Sequence, residues 1–121
     1  EADLVRITET VVAEAAERGK VVLVGRAAPA VLARRTDALH VRVVASKAHR
    51  INVAARRLGV PHARAVELLE ENDRMRGRYH REYYQRDWHD AVNYHMVLNT
   101  EALGMQGAAD VIVDRARRLG W

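Results

Sequence analysis

The sequence predicts an α/β protein with a three-layer core: a parallel sheet flanked by helices, carrying an arginine-rich helical lid. Three observations point there. Valine-rich apolar runs at residues 21–24, 39–45 and 94–100 read as strands. Stretches of helical periodicity separate them, and strands joined by helices pair in parallel through right-handed crossovers. Between the second and third strands, residues 71–90 crowd arginines and tyrosines into one long polar stretch.

The elements follow in order. "DLVRITETVVAEAAER", residues 3–18, is an amphipathic helix in which Leu4, Ile7, Val11 and Ala15 share a face, with Gly19 as its stop. Lys20 leads into the strand Val21–Val24, which ends at Gly25-Arg26. A short helix follows around Pro29, since proline is tolerated in a first helical turn. "LHVRVVA", 39–45, is the second strand. Ser46 is the expected N-cap of a helix running to Leu58 and closed by Gly59. A long charged helix then starts near Pro61 and runs toward Trp88, weakened locally at Gly77 by roughly 1 kcal/mol relative to alanine. "YHMVLNT", 94–100, is the third strand, and residues 105–120 form a last amphipathic helix.

The 121 residues suit one domain with a modest core, and the hydrophobic share of 49% argues for a globular protein rather than a disordered one. No apolar run approaches the roughly 18 residues of a membrane span. With no cysteine there are no disulfides and no thiolate sites, and a cytoplasmic location is expected. The formal charge is +4, and the basic residues are lopsided: Lys20 and Lys47 are the only lysines among 20, which leaves 18 arginines. Codon bias is the bland account of that skew. Arginine is also the better fork for phosphate oxygens.

Two places carry candidate chemistry. In open parallel sheets ligands sit beyond the carboxyl ends of strands, which is where Gly25-Arg26, Ala45-Ser46 and Asn99-Thr100 are expected. On the long helix, Arg74, Arg78 and Arg81 fall at i, i+4 and i+7, on one face. Like charges stacked this way repel one another unless an anion or a carboxylate sits among them, and Asp73, Glu82 and Asp87 are within reach. A solvated helix laced with salt bridges would give the same spacing; a mobile clamp over phosphates is the functional alternative. The six histidines show no zinc-like pairing, so no metal site is expected. Tyr83, Tyr84 and Trp88 read as core anchors, and Asp90 as a cap or turn before the third strand. The specific phosphate-loop motif G-x-x-x-x-G-K-[ST] does not occur.

Four stretches in register, "VVLVGRAAPAVL", "LHVRVVA", "DRMRGRYHREYYQRDWHD" and "YHMVLNTEALGMQGAADVIV", resemble the cytidylate kinase-like family of P-loop nucleoside monophosphate kinases, over about residues 10–118. The resemblance implies a P-loop kinase-like fold. Residues 1–121 would then be a single partial domain, with a lid-like segment at about 46–93. It matches Gly25 and Arg26 to the family's strand-end pair that holds the acceptor phosphate. It matches Asp73-Arg74, Arg76 and Arg78, with Arg81 nearby, to the lid that closes over the transferred phosphate. Asn99 and Thr100 fall at the strand end near the donor base. In true cytidylate kinases an aspartate follows the arginine, whereas Ala27 stands here, so cytosine specificity does not carry over. The family's first strand, P-loop and monophosphate-binding helices have no counterpart in these residues. By resemblance, some eighty or more further residues, or another chain, would complete the sheet.

Two functions from different classes follow. One is phosphoryl transfer from a nucleoside triphosphate to a nucleoside monophosphate or similar small acceptor, with ATP and Mg2+ by resemblance. Arg74, Arg78 and Arg81 would be catalytic, Gly25, Arg26, Asp73 and Arg76 would bind substrate, and Asn99 and Thr100 would bind the cofactor. The other is a non-catalytic, kinase-derived module whose arginine-rich helix contacts RNA, a ribosome or an acidic protein partner.

Overall fold

A computed structural model describes residues 2–121. The chain forms two compact units, Glu1–Ala38 and Leu39–Trp121.

In the first unit, α1 (Ala2–Arg18) is followed by a turn and by the short α2 (Ala28–Val31), with Pro29 in its first turn. Val12, Ala28 and Leu32 form the core, and Ala16, Leu23 and Val31 pack against it. The buried face of α1 is Val5, Val12 and Ala15, while Leu4, Ile7 and Val11 are exposed. The expected apolar stripe therefore shares only Ala15 with the face that is buried. The sequence offers two apolar stripes on this helix, and packing of α2 against the second decides between them. Arg35 ties the end of the unit to α1, donating to Asp37 at 2.8 Å through both Nε and Nη2 and to Glu17 at 2.7 Å through Nη1.

Val21–Val24 is not a strand. The sheet of the described residues has two strands, and this run is in neither. Leu23 turns into the core, while Val22 and Val24 are each 89% exposed. A strand exists only through a ladder partner, and an apolar run does not specify one.

The second unit holds β1 (Val41–Val44), α3 (Lys47–Leu58), α4 (His62–Tyr84), a 3-10 turn at Ala91–Asn93, β2 (Met96–Asn99) and α5 (Thr100–Arg118). β1 and β2 pair in parallel with Val41 opposite Met96 and Val44 opposite Asn99. The molecule is thus a helix-rich α/β protein with a small two-stranded parallel sheet, in place of the expected three-strand, three-layer core. The ladder opens on a histidine pair: His40 N–H donates to His95 Nδ1, His95 N–H donates to the His40 carbonyl, both at 2.8 Å, and the rings stack at 5.1 Å.

Local signals set the helix boundaries. Ser46 caps α3 by accepting from His49 N–H at 3.2 Å, and Gly59 ends it with φ 64°. The long helix stops at Tyr84, short of Trp88, because Gln85 takes a left-handed conformation and Arg86 N–H bonds back to the His80 carbonyl. Gly104, at φ 74° and ψ 163°, kinks α5 after its first turn, so its regular part starts at Met105 as the sequence predicts.

Candidate functional site

The arginine cluster lies on α4, and its two faces do different work. Asp73, Arg76, Gly77 and His80 recur at helical spacing along the side that packs within the unit. Asp73 accepts two hydrogen bonds from Arg50 of α3, at 3.0 and 2.8 Å. The Arg50 guanidinium holds the Asp73 carboxyl below its usual range, and Asp73 raises Arg50 in return. One turn earlier, Lys47 Nζ bonds Glu70 at 2.7 Å and lowers that carboxyl, with Arg74 adding a smaller effect. These two pairs fasten α3 to α4. Asp73, expected at the substrate, has both carboxylate oxygens engaged by Arg50.

Arg74, Arg78 and Arg81 lie on the other side of α4 and all three are exposed. Arg78 Nε is 4.0 Å from Glu82, a loose pair. Among the described residues, Arg74 and Arg81 make no direct ion pair. Gly77 leaves room for the Arg81 guanidinium, whose Nη1 would lie 3.4 Å from any added Cβ. The sequence thus places three cations on one face, where Glu82 meets Arg78 loosely and Glu70, bonded to Lys47, feels Arg74.

Arg76 points elsewhere. Its guanidinium carbon lies 4.9 Å from the centroid of the Trp88 ring, and that of Arg42 on β1 lies 5.0 Å from the same ring. His80 is buried; its Nδ1 bonds the Arg76 carbonyl at 2.8 Å, and its ring stacks on Trp88 at 6.2 Å. The segment carrying Trp88 is pinned from both sides. Tyr94 hydroxyl donates to the Trp88 carbonyl at 2.9 Å, and burial pushes its phenol up. Asp87 accepts from His89 N–H at 2.9 Å, and Asp90 accepts from Val92 N–H at 3.1 Å, which is the turn the sequence predicts for Asp90. Arg42 reaches His89 through its carbonyl and, at 3.0 Å, through Nδ1. Arg42 and Arg50 are the parts sequence reasoning missed, and Trp88, read as a core anchor, also meets two guanidinium groups. Each acts through a partner many residues away, and no local pattern marks such a pairing.

At the strand ends, side chains close the backbone. Asn99 accepts from Glu101 and Ala102 N–H at 3.0 Å each, capping α5, and Thr100 hydroxyl donates to the Val44 carbonyl at 3.4 Å. Ser46 N–H donates to Glu101 at 3.0 Å, so the α3 terminus is already met by a carboxylate, whose pKa that bond lowers. Both residues expected at the cofactor therefore have structural bonds through their side chains.

Gly25 and Arg26 lie in the first unit, in a tight left-handed turn and not at a strand end. Gly25, Arg26 and Ala27 all have positive φ, at 75°, 58° and 53°, and Ala28 N–H closes the turn on the Gly25 carbonyl at 3.2 Å. Glycine takes this conformation freely, whereas Arg26 and Ala27 each cost roughly 1–2 kcal/mol there. The Ala27 carbonyl offsets part of that cost by accepting from Ala30 and Val31 N–H. The Arg26 side chain is exposed, while the Ala27 methyl is buried. A carboxylate at position 27 would be desolvated, which suits alanine there.

Among the described residues no three His, Asp or Glu side chains gather to hold a metal ion, and no helix is long and apolar enough to cross a membrane.

The model of the cytidylate kinase-like family matches residues 1–102. Among curated proteins no sequence matches the chain. In three dimensions the chain is similar to the crystal structure of an uncharacterized protein from Eubacterium ventriosum, with a TM-score of 0.88 at 22% identity. The likeness covers 96% of this chain and 73% of that one.

Proposed function

Because the chain belongs to the cytidylate kinase-like family, we propose that it serves phosphoryl transfer from a nucleoside triphosphate to a nucleoside monophosphate or similar small acceptor. The observation that carries this reading is the division of α4 into a fastened face and a cationic one. Asp73 and Glu70 direct their hydrogen bonds to α3, so Arg74, felt by Glu70 only through space, and Arg81 present guanidinium forks without hydrogen-bonded carboxylates beside the loosely paired Arg78. Forks of this kind make charge-assisted hydrogen bonds to phosphate oxygens. Phosphoryl transfer asks a protein mainly for positioning and charge neutralisation.

Under this reading Arg74, Arg78 and Arg81 neutralise charge on the transferred phosphoryl group. Arg26 holds the acceptor phosphate, and the strained turn at Gly25–Ala27 fixes where that guanidinium starts. Asn99 shapes the backbone at the donor side by capping α5 and Thr100 by its bond to the Val44 carbonyl, and Asp73 acts as the strut that orients the helix. ATP with Mg2+ supplies the phosphoryl group when bound; the described arginines suit its phosphates, and no described side chain is assigned to the metal. The reading assigns the loop that cradles the triphosphate to polypeptide outside these residues or to another chain. Each strand of the observed sheet has a paired edge on one side only, which is compatible with a further strand. A cytoplasmic setting goes with nucleotide substrates.

The test is transfer of labelled phosphate from ATP to a panel of nucleoside monophosphates by the full-length protein. The expected result is transfer to at least one acceptor, with Arg74→Ala and Arg81→Ala each lowering kcat about tenfold or more. RNA binding insensitive to nucleotide, with no transfer to any acceptor, would replace this reading with the non-catalytic module.

A further inference from the structure

Trp88 stands where a charged stretch needs an explanation. Two guanidinium groups, from β1 and α4, approach a single indole at 5.0 and 4.9 Å. Their carbons are therefore within about 10 Å of each other. Like charges this close repel unless something holds them. A ring face does so through its quadrupole, and tryptophan offers the strongest such face. The two arginines are not equivalent. Arg42 is partly buried and spends Nη1 and Nη2 on His89, so it anchors the ring. Arg76 is exposed and its guanidinium lies over the ring; the Asp73 carboxylate feels its charge but spends both oxygens on Arg50, so the N–H groups of Arg76 have no hydrogen-bond partner among the described residues. The ring in turn is fixed by the Tyr94 hydroxyl on the Trp88 carbonyl and by the buried His80 beneath it.

We propose that Trp88 is a positioning residue: it holds the Arg76 guanidinium with its N–H edge free for an oxyanion of the phosphate class, and Arg42 holds Trp88. The proposal rests on the reading of α4 as a phosphate-binding helix. An unrestrained arginine has to be ordered as it binds, and a stacked one has already lost that freedom. Trp88 therefore lowers the ordering cost of the phosphate contact without touching the ligand.

The experiment uses inorganic tripolyphosphate as the probe and Trp121→Phe as the background, which leaves Trp88 as the one indole of these 121 residues. Three readings are taken: affinity, Trp88 emission on titration, and a double-mutant cycle between Trp88→Leu and Arg76→Ala. A thermal melt of each variant accompanies them. The expected result is that Trp88→Leu weakens binding about two- to five-fold. Trp88→Phe should fall between it and the background protein. Trp88 emission should change on titration and cease to do so in Arg76→Ala. The double variant should be no weaker than Arg76→Ala. Full additivity, or emission that responds equally with and without Arg76, overturns the proposal while leaving the phosphate reading in place. Tripolyphosphate affinity that is unmoved by Arg76→Ala, Arg74→Ala and Arg81→Ala overturns both.

Discussion

Separating Asp73 from Arg50 should loosen α4 from α3 by a measurable amount. The pair is bidentate, at 3.0 and 2.8 Å, and the side chains are 26% and 36% exposed. Hydrogen bonds to charged groups contribute about 1.5–3 kcal/mol when well buried, and exposed ion pairs about 0–1 kcal/mol. A half-buried bidentate pair belongs between them, so the coupling energy from an Arg50→Ala/Asp73→Ala cycle should be about 1–2 kcal/mol. The double variant Arg50→Ala/Asp73→Ala should cost less than the sum of the two single variants, since each single change leaves the other charged group partly buried without its partner. The pH dependence has a fixed sign. Arg50 depresses the Asp73 carboxyl in the folded state, so the contribution is fully present above the unfolded value of about 3.9 and is lost as pH falls through the folded value. Urea unfolding of the four proteins at pH 7, and again at stepwise lower pH, reads both quantities. A coupling energy near zero at pH 7, or one that does not decline at acid pH, would refute the assignment of Asp73 as a strut.

Two further outcomes follow from the backbone. Arg26→Gly removes a left-handed arginine and should raise stability by about 0.5–1 kcal/mol in chemical denaturation, while raising the KM for the acceptor. Gly77→Ala should stabilise α4 by about 0.5–1 kcal/mol, because the new methyl meets only the flexible end of Arg81; the check is a higher Tm.

Where the chemistry is local, the sequence was sufficient. Ser46 and Gly59 bound α3 as read, because a hydroxyl cap and a left-handed glycine act within one turn of the chain. The valine-rich runs at β1 and β2 were legible for a similar reason, and their parallel pairing followed from the intervening helices. Val21–Val24 was not legible, because the same composition serves a strand or an irregular segment and only a partner decides. On α1, Leu4, Ile7 and Val11 were as apolar as Val5 and Val12, so the buried stripe was a tertiary choice. The arginines of α4 were visible as a face, but their division of labour was not. It depends on Arg50, Arg42 and Trp88, each placed by long-range contact.

The central claim is that the Arg74–Arg78–Arg81 face of α4 holds phosphate groups. Tripolyphosphate affinity, measured by calorimetry over a range of salt concentrations, tests it most directly. The wild-type chain is compared with an Arg74→Ala/Arg78→Ala/Arg81→Ala variant and with an equal-charge control, Arg115→Ala/Arg117→Ala/Arg118→Ala, on the last turn of α5. The account predicts that the α4 variant loses about tenfold or more in affinity and flattens the salt dependence, while the α5 control changes by about twofold or less. Equal losses in the two variants would show a response to net charge alone and would contradict the account.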